Sequence, residues 1–276
     1  MKRGCVIGYD INEKGCQISY YDDSMEEPDT MMASSNNYLI PLVLGYFKDR
    51  WVFGKEAKRL AVAGEDCTET DLYGKAKRRE KVSLAGKTYD AVWLLAKYIS
   101  LTLQDFENIQ YLTFTTPETD VDMAKMLKGI GQHIGVDKEI INVQDYKESF
   151  CQYMIFQPKE LWQYESALFY CDEDRIKAYM LRRLRVDASH GMNSFVTVDE
   201  VANAQRKELE ALYPIMNKEK SPDESFKSMI ENVFEKKVIS SVYLTGEGFE
   251  KNWYPNSLRV LCNGRRAFMG NNLYSK

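Results

Sequence analysis

Residues 8–22 read GYDINEKGCQISYYD, and three of them could hold a charged ligand: Asp10, Asn12 and Lys14. An apolar strand runs into the Asp10 carboxylate, turns over polar residues and a glycine, and sets off again as a second strand. Turn amides converging on one point bind anions, and glycine lets the backbone come close to phosphate. An aspartate beside such amides repels phosphate unless Mg²⁺ or ordered water lies between them. Acid and amides together are therefore a metal-nucleotide signature, with Asp10 as the metal ligand. Asn12 tolerates the left-handed conformation better than most residues, and Lys14 offsets the charge of Glu13. A plain hairpin is the competing reading.

A second candidate is VYLTGEGFE, residues 242–250. Gly246 and Gly248 follow a buried-strand pattern, and open α/β sheets hold ligands at strand ends. Tight packing of the strand end asks for the same glycines.

Composition narrows the chemistry. Net charge is -4 over 276 residues, so no positive field draws nucleic acid or an anionic membrane. No run reaches the roughly 20 apolar residues of a spanning helix. The six scattered cysteines form no CxxC pair and the chain has two histidines, His133 and His190. That pattern speaks against zinc and for reduced thiols in a cytoplasm.

The elements that would position these residues follow from periodicity and turn signals. Strands are expected at 5–9, 17–21, 39–47 and 51–53, then a helix closed by Gly64. Residues 67–90 are polar and basic and read as solvated surface. Helices at 89–108 and 120–134 alternate with strands at 110–116 and 140–143, and a helix at 146–156 leads into the second half. There a hairpin of strands 166–170 and 176–186 turns over 172–174. A polar linker (187–194), a helix (199–213), a helix starting at SPDES (221–225), a strand (238–244) and a last helix (252–263) follow. Each half runs hairpin, helix, strand, which suggests a duplicated α/β unit.

This order resembles the actin and DnaK-type chaperone ATPase superfamily. There the first hairpin carries Asp-x-Gly-Thr-Thr, and IGYDINEKGCQISY aligns without gaps: Asp10 keeps the acid, Asn12 stands at the glycine, and Glu13 and Lys14 replace the hydroxyl pair. IPLVLGYFKDRWVFGKEAKRLA (40–61) is similar to a proline-broken strand, hairpin and Gly-x-x-Ala-Lys helix of the chaperones. YLTFTTPE (111–118) resembles a strand ending in a proline loop, NVQDYKESF (142–150) a strand-to-helix connection, and VYLTGEGFE the adenosine-binding turn. The resemblance implies an actin-like α/β fold of two ribonuclease-H-like lobes. Residues 1–160 would form the first, with a small subdomain inserted over about 33–90. Residues 161–276 would form a reduced second lobe, ending where relatives enter one more helix.

The resemblance also implies ATP and Mg²⁺ as cofactors. Asp10 would hold the metal through water, Gln144 or Asp145 would position the attacking water, and Asn12 and Lys14 would meet phosphate. Gly246 and Gly248 would accommodate adenosine. As a plain structural alternative, Asp145 caps a helix. Lys75 or Lys77 stands near a chaperone lysine that reaches phosphate, or is a surface lysine. The second phosphate loop departs from its pattern: Tyr170 takes the place of the acid and Asp172 that of the first glycine, with Glu173 and Asp174 following. At an effective dielectric of about 20, like charges about 4 Å apart repel by on the order of 4 kcal/mol, so this turn is an acidic surface or a cation site. The expectation is a degenerate member with weak or absent nucleotide hydrolysis, acting on a protein partner as a scaffold or assembly component. An active Mg-dependent ATPase is the alternative.

Overall fold

In the computed structural model, which describes residues 4–34, 37–172, 175–185, 194–205, 222–250, 252–270 and 273–275, the alternating run Cys5–Ile11 forms strand β1. Its side chains Ile7, Tyr9 and Ile11 are fully buried. Two compact units are present, Met1–Tyr146 with Tyr274–Lys276, and Lys147–Leu273.

In the first unit, β1 pairs antiparallel with β2 (Gly15–Tyr21), and β2 with β3 (Asp29–Thr30) and β4 (Ile40–Pro41). On its other side β1 runs parallel to β10 (Ile109–Thr116), and β10 to β11 (Ile141–Asp145). The resulting order is β11-β10-β1-β2-β3. Helices α3 (Ala91–Thr102) and α4 (Val121–His133) supply Leu94, Leu95, Ile99, Met123 and Leu127 to the core under Ile7, Tyr9, Ile18 and Phe114. Each such buried side chain contributes about 1.5–3 kcal/mol.

Between these strands lie β5 (Leu44–Phe47), β6 (Arg50–Phe53), α1 (Gly54–Val62), β7 (Thr68–Glu69), α2 (Leu72–Lys77) and the hairpin β8 (Lys81–Leu84) and β9 (Lys87–Asp90). The strand expected over 39–47 is split into β4 and β5. The basic stretch 67–90 is more than a solvated surface, because Leu72, Tyr73 and Ala76 of α2 are buried in the core of the first unit. Charge content hid those three apolar positions.

The last described residues return to the first unit. Ser275 shares a 2.8 Å hydrogen bond with Ser19 on β2, and its carbonyl lies where a side chain at Gly8 would stand. Gly8 is thus a close-approach glycine on β1.

The second unit takes in α5 (Tyr146–Ile155) beyond its first residue, then β12 (Glu165–Cys171), β13 (Arg175–Arg185), β14 (Ser194–Gln205), α6 (Pro222–Phe234), β15 (Ile239–Thr245), α7 (Pro255–Cys262) and β16 (Arg266–Met269). Its sheet runs β14-β13-β12-β15-β16, antiparallel from β14 to β12 and parallel from β12 to β16. That is the strand order and direction of the first sheet. The helix expected over 199–213 is overturned: residues as far as Gln205 belong to β14, and 206–213 lie outside the described residues. The β-branched run Val196, Thr197, Val198 finds a partner in β13, and cross-strand pairing outweighs the helix-favouring Ala, Lys and Glu content. The linker 187–193 and the expected cap Ser221 also lie outside the described residues, though the helix itself begins at Pro222. All six cysteines are free, and among the described residues no helix is long and apolar enough to cross a membrane.

Candidate functional site

Strand register brings Asp10 of β1 level with Gln17 on β2 and Thr115 on β10, and Thr115 level with Gln144 on β11. Four polar residues thus form one row across the sheet of the first unit. Gln144 Nε2 donates to Thr115 Oγ1 at 3.1 Å. The amide oxygens of Gln17 and Gln144 are buried with no hydrogen-bond partner among the described residues, and an unmet buried acceptor costs about 1–3 kcal/mol. The row is therefore rich in acceptors.

Tyr146, the first residue of α5, donates its hydroxyl to Asp10 Oδ1 at 2.9 Å. Its ring stacks on Tyr274, with centroids 3.6 Å apart. Burial pushes the Asp10 carboxyl up to about 7, against the opposing pull of the Tyr146 hydrogen bond. Desolvation disfavours the anion more than one hydroxyl can offset. The buried phenol of Tyr73 on α2 is raised first by burial and then by the negative charges of Glu13 and Asp10.

The turn from β1 to β2 is closed by a side chain. Asn12 Oδ1 accepts from the amides of Lys14 at 2.9 Å and Gly15 at 3.2 Å, while Asn12 N donates to Gly15 O at 3.0 Å. Two amides that could meet an anion are thereby committed to the chain itself. Asn12 is not among the positive-φ residues, so the left-handed conformation open to it is not used. Gly15 serves close approach instead, since a Cβ there would collide with the Ile40 carbonyl.

Of the residues singled out from sequence, Asp10 and Gln144 share the row, and Asp145 stands one register step beyond, opposite Thr116. Lys75 is held by Glu69 at 2.8 Å. Tyr146, Gln17 and Thr115 were missed. Tyr146 lies beside the two residues chosen in NVQDYKESF, but a tyrosine opening a helix gives no signal of the strand its hydroxyl reaches.

Residues 27–276 match the family described as "Family of unknown function (DUF5716) C-terminal". The chain belongs to this family. No curated protein matches it. The matched stretch contains Gln144, Asp145, Gly246 and Gly248, whereas Asp10, Asn12 and Lys14 precede it.

In this DUF5716 C-terminal chain the second unit carries the other candidate residues. Gly246 has φ 93°, and a Cβ there would collide with the Cys171 carbonyl. At Gly248 a Cβ would meet the Cys171 thiol and come within 2.8 Å of the Asp172 carbonyl. Both glycines therefore have a packing role, making room for the end of β12. The turn after β12 is closed by Asp172, whose Oδ1 accepts from Arg175 N at 2.6 Å while its own N–H donates to Arg175 O at 3.0 Å. Glu173 and Asp174 lie outside the described residues. Tyr170 is level with Lys177 and Thr245, and the buried Lys177 has Glu200 at 3.7 Å. Among the described residues no group of three or more His, Cys, Asp or Glu side chains could hold a metal ion.

Proposed function

We propose that this chain is a degenerate relative of the actin and DnaK-type ATPases, binding nucleotide weakly or not at all and serving as a protein-interaction or assembly scaffold. The observation that carries this reading is the Asn12 side chain, whose oxygen takes the Lys14 and Gly15 amides that a phosphate would need. The common strand order of the two sheets supports the ribonuclease-H-like part of the reading.

One observation favours an active Mg-dependent ATPase instead. The unmet oxygens of Gln17 and Gln144 share a row with the Asp10 carboxylate, and hard cations take oxygen ligands of these kinds. Calorimetric titration of ATP, with and without Mg²⁺, separates the two. The scaffold reading expects no saturable Mg-dependent binding at millimolar ATP. Saturable Mg-dependent binding that weakens in Asp10→Ala overturns it in favour of the ATPase.

A further inference from the structure

A groove of about 390 Å³ runs between α3 and α4 in the first unit. Its walls are Val92, Trp93 and Ala96 on one helix and Met126 and Ile130 on the other. Trp93 is 39% exposed yet braced: it stacks on Tyr89 at 5.4 Å and packs against Trp51 at 5.8 Å. On α4, Lys125, Gly129 and His133 are spaced by four and share one helix face. Nothing lies within 4 Å of where a Gly129 Cβ would be, so the missing side chain leaves the groove open between two basic residues.

The rim is charged with one sign in excess. Arg79, Lys125 and His133 line it together with a single acid, Asp90. Asp90 Oδ1 is engaged by the amides of Val92 and Trp93 at 2.8 and 3.3 Å. Among the described residues none of the three basic side chains has an ion pair. Arg79 also stands at an unusual place: Glu80 N bonds to Lys75 O and Arg79 N to Ala76 O, the pattern in which a helix ends on a left-handed residue, usually glycine. Arg79 adopts that conformation, with φ 57°, so a guanidinium is presented where the backbone alone would favour glycine.

We propose that this groove binds a small organic anion, an aromatic body with one carboxylate, sulfonate or phosphate group. The ring lies against Trp93, Met126 and Ile130, and the anion meets Arg79 and Lys125. A volume of this size is within the range of small-molecule sites, and an apolar lining with a few convergent polar groups is their usual composition.

The probe is 8-anilinonaphthalene-1-sulfonate, with uncharged N-phenyl-1-naphthylamine as its counterpart, both followed by energy transfer from tryptophan. The sulfonate is expected to bind saturably and about tenfold tighter than the uncharged compound, as one charge-assisted contact would give. Gly129→Leu starts from a Cβ in open space, extends a side chain into the groove and should abolish binding. Arg79→Gly should weaken sulfonate binding about tenfold while leaving Tm unchanged or raised, which separates lost charge from lost fold. Absence of saturable binding, equal affinity for the two probes, or undiminished binding in Gly129→Leu would falsify the proposal.

Discussion

The turn after β1 and the turn after β12 are closed in the same manner by different side chains. In each, the first residue's N–H donates to the carbonyl of the residue three places on, and its own Oδ1 takes that residue's amide: Asn12 with Gly15, Asp172 with Arg175. Behind the turns the two sheets differ. Asp10 is level with Gln17 and Thr115, whereas Tyr170 is level with Lys177 and Thr245. A threonine keeps the same place in both rows, while the buried acid of the first has a phenol in the second and the neutral amide has a buried lysine. A neutral amide closes one hairpin and a carboxylate the other, so the same turn geometry is reached with and without a charge on the closing side chain.

The largest effect expected from that difference is at Asp10. Its folded carboxyl sits at about 7 against an ordinary value of 3.8, so the folded chain holds its proton to higher pH than the unfolded chain does. Stability from this group is fully present below about 4 and is lost as pH rises through about 7. Asp10→Asn removes the anion but leaves an oxygen for the Tyr146 hydroxyl. It should stabilise the first unit by up to about 4 kcal/mol at pH 8 and change little at pH 4. Urea unfolding at the two pH values measures this, and a variant with the wild-type pH profile would remove Asp10 as the source of the difference.

Much of the frame was legible in sequence because it rests on local pattern. Alternation marks β1, and the helical recurrence of Val92, Leu95, Ala96 and Ile99 marks α3. The 199–213 segment was misread because Ala, Lys and Glu content carries no information about an available neighbouring strand. The row was only half legible. Asp10 and Gln144 stand out by type, but Gln17 and Thr115 join them through register across four strands, and register is not local. The same holds for Gly8, whose reason for being glycine lies at Ser275, at the far end of the chain.

A smaller effect sharpens the contrast from the second unit. Asp223, the second residue of α6, accepts from the amides of Asn256 and Ser257, each at 2.8 Å, and from the Ser257 hydroxyl at 2.7 Å. It thereby caps α7, a helix distant in sequence, whereas α3 and α4 are capped by their own Asp90 and Asp120. Burial pushes the Asp223 carboxyl up, but these hydrogen bonds outweigh it and hold the group below its ordinary value. Its pH dependence is opposite in sign to that of Asp10: the contribution is present above the ordinary carboxylate range and lost as pH falls. Asp223→Ala should lower the stability of the second unit by about 2–4 kcal/mol, read as a shift in its urea midpoint. A loss under about 1 kcal/mol would reduce Asp223 to the rank of an ordinary cap.

The smallest effect tests the likeness of the turns directly. Asn12→Gly and Asp172→Gly each remove the closing oxygen, and each should cost about 1 kcal/mol, the worth of a neutral or partly exposed hydrogen bond. Their consequences for an anion differ. Asn12→Gly releases two amides, Lys14 and Gly15, that point at one spot, whereas Asp172→Gly releases the Arg175 amide. Pyrophosphate added to labelled Asn12→Gly protein should shift the Lys14 and Gly15 amide resonances, with smaller shifts in the wild type and in Asp172→Gly. Equal shifts in wild type and Asn12→Gly would mean that the Asn12 oxygen does not exclude the anion. Any difference between the two turns toward an anion would then have to come from the rows behind them, Asp10 in one and Tyr170 in the other, rather than from the residues that close them.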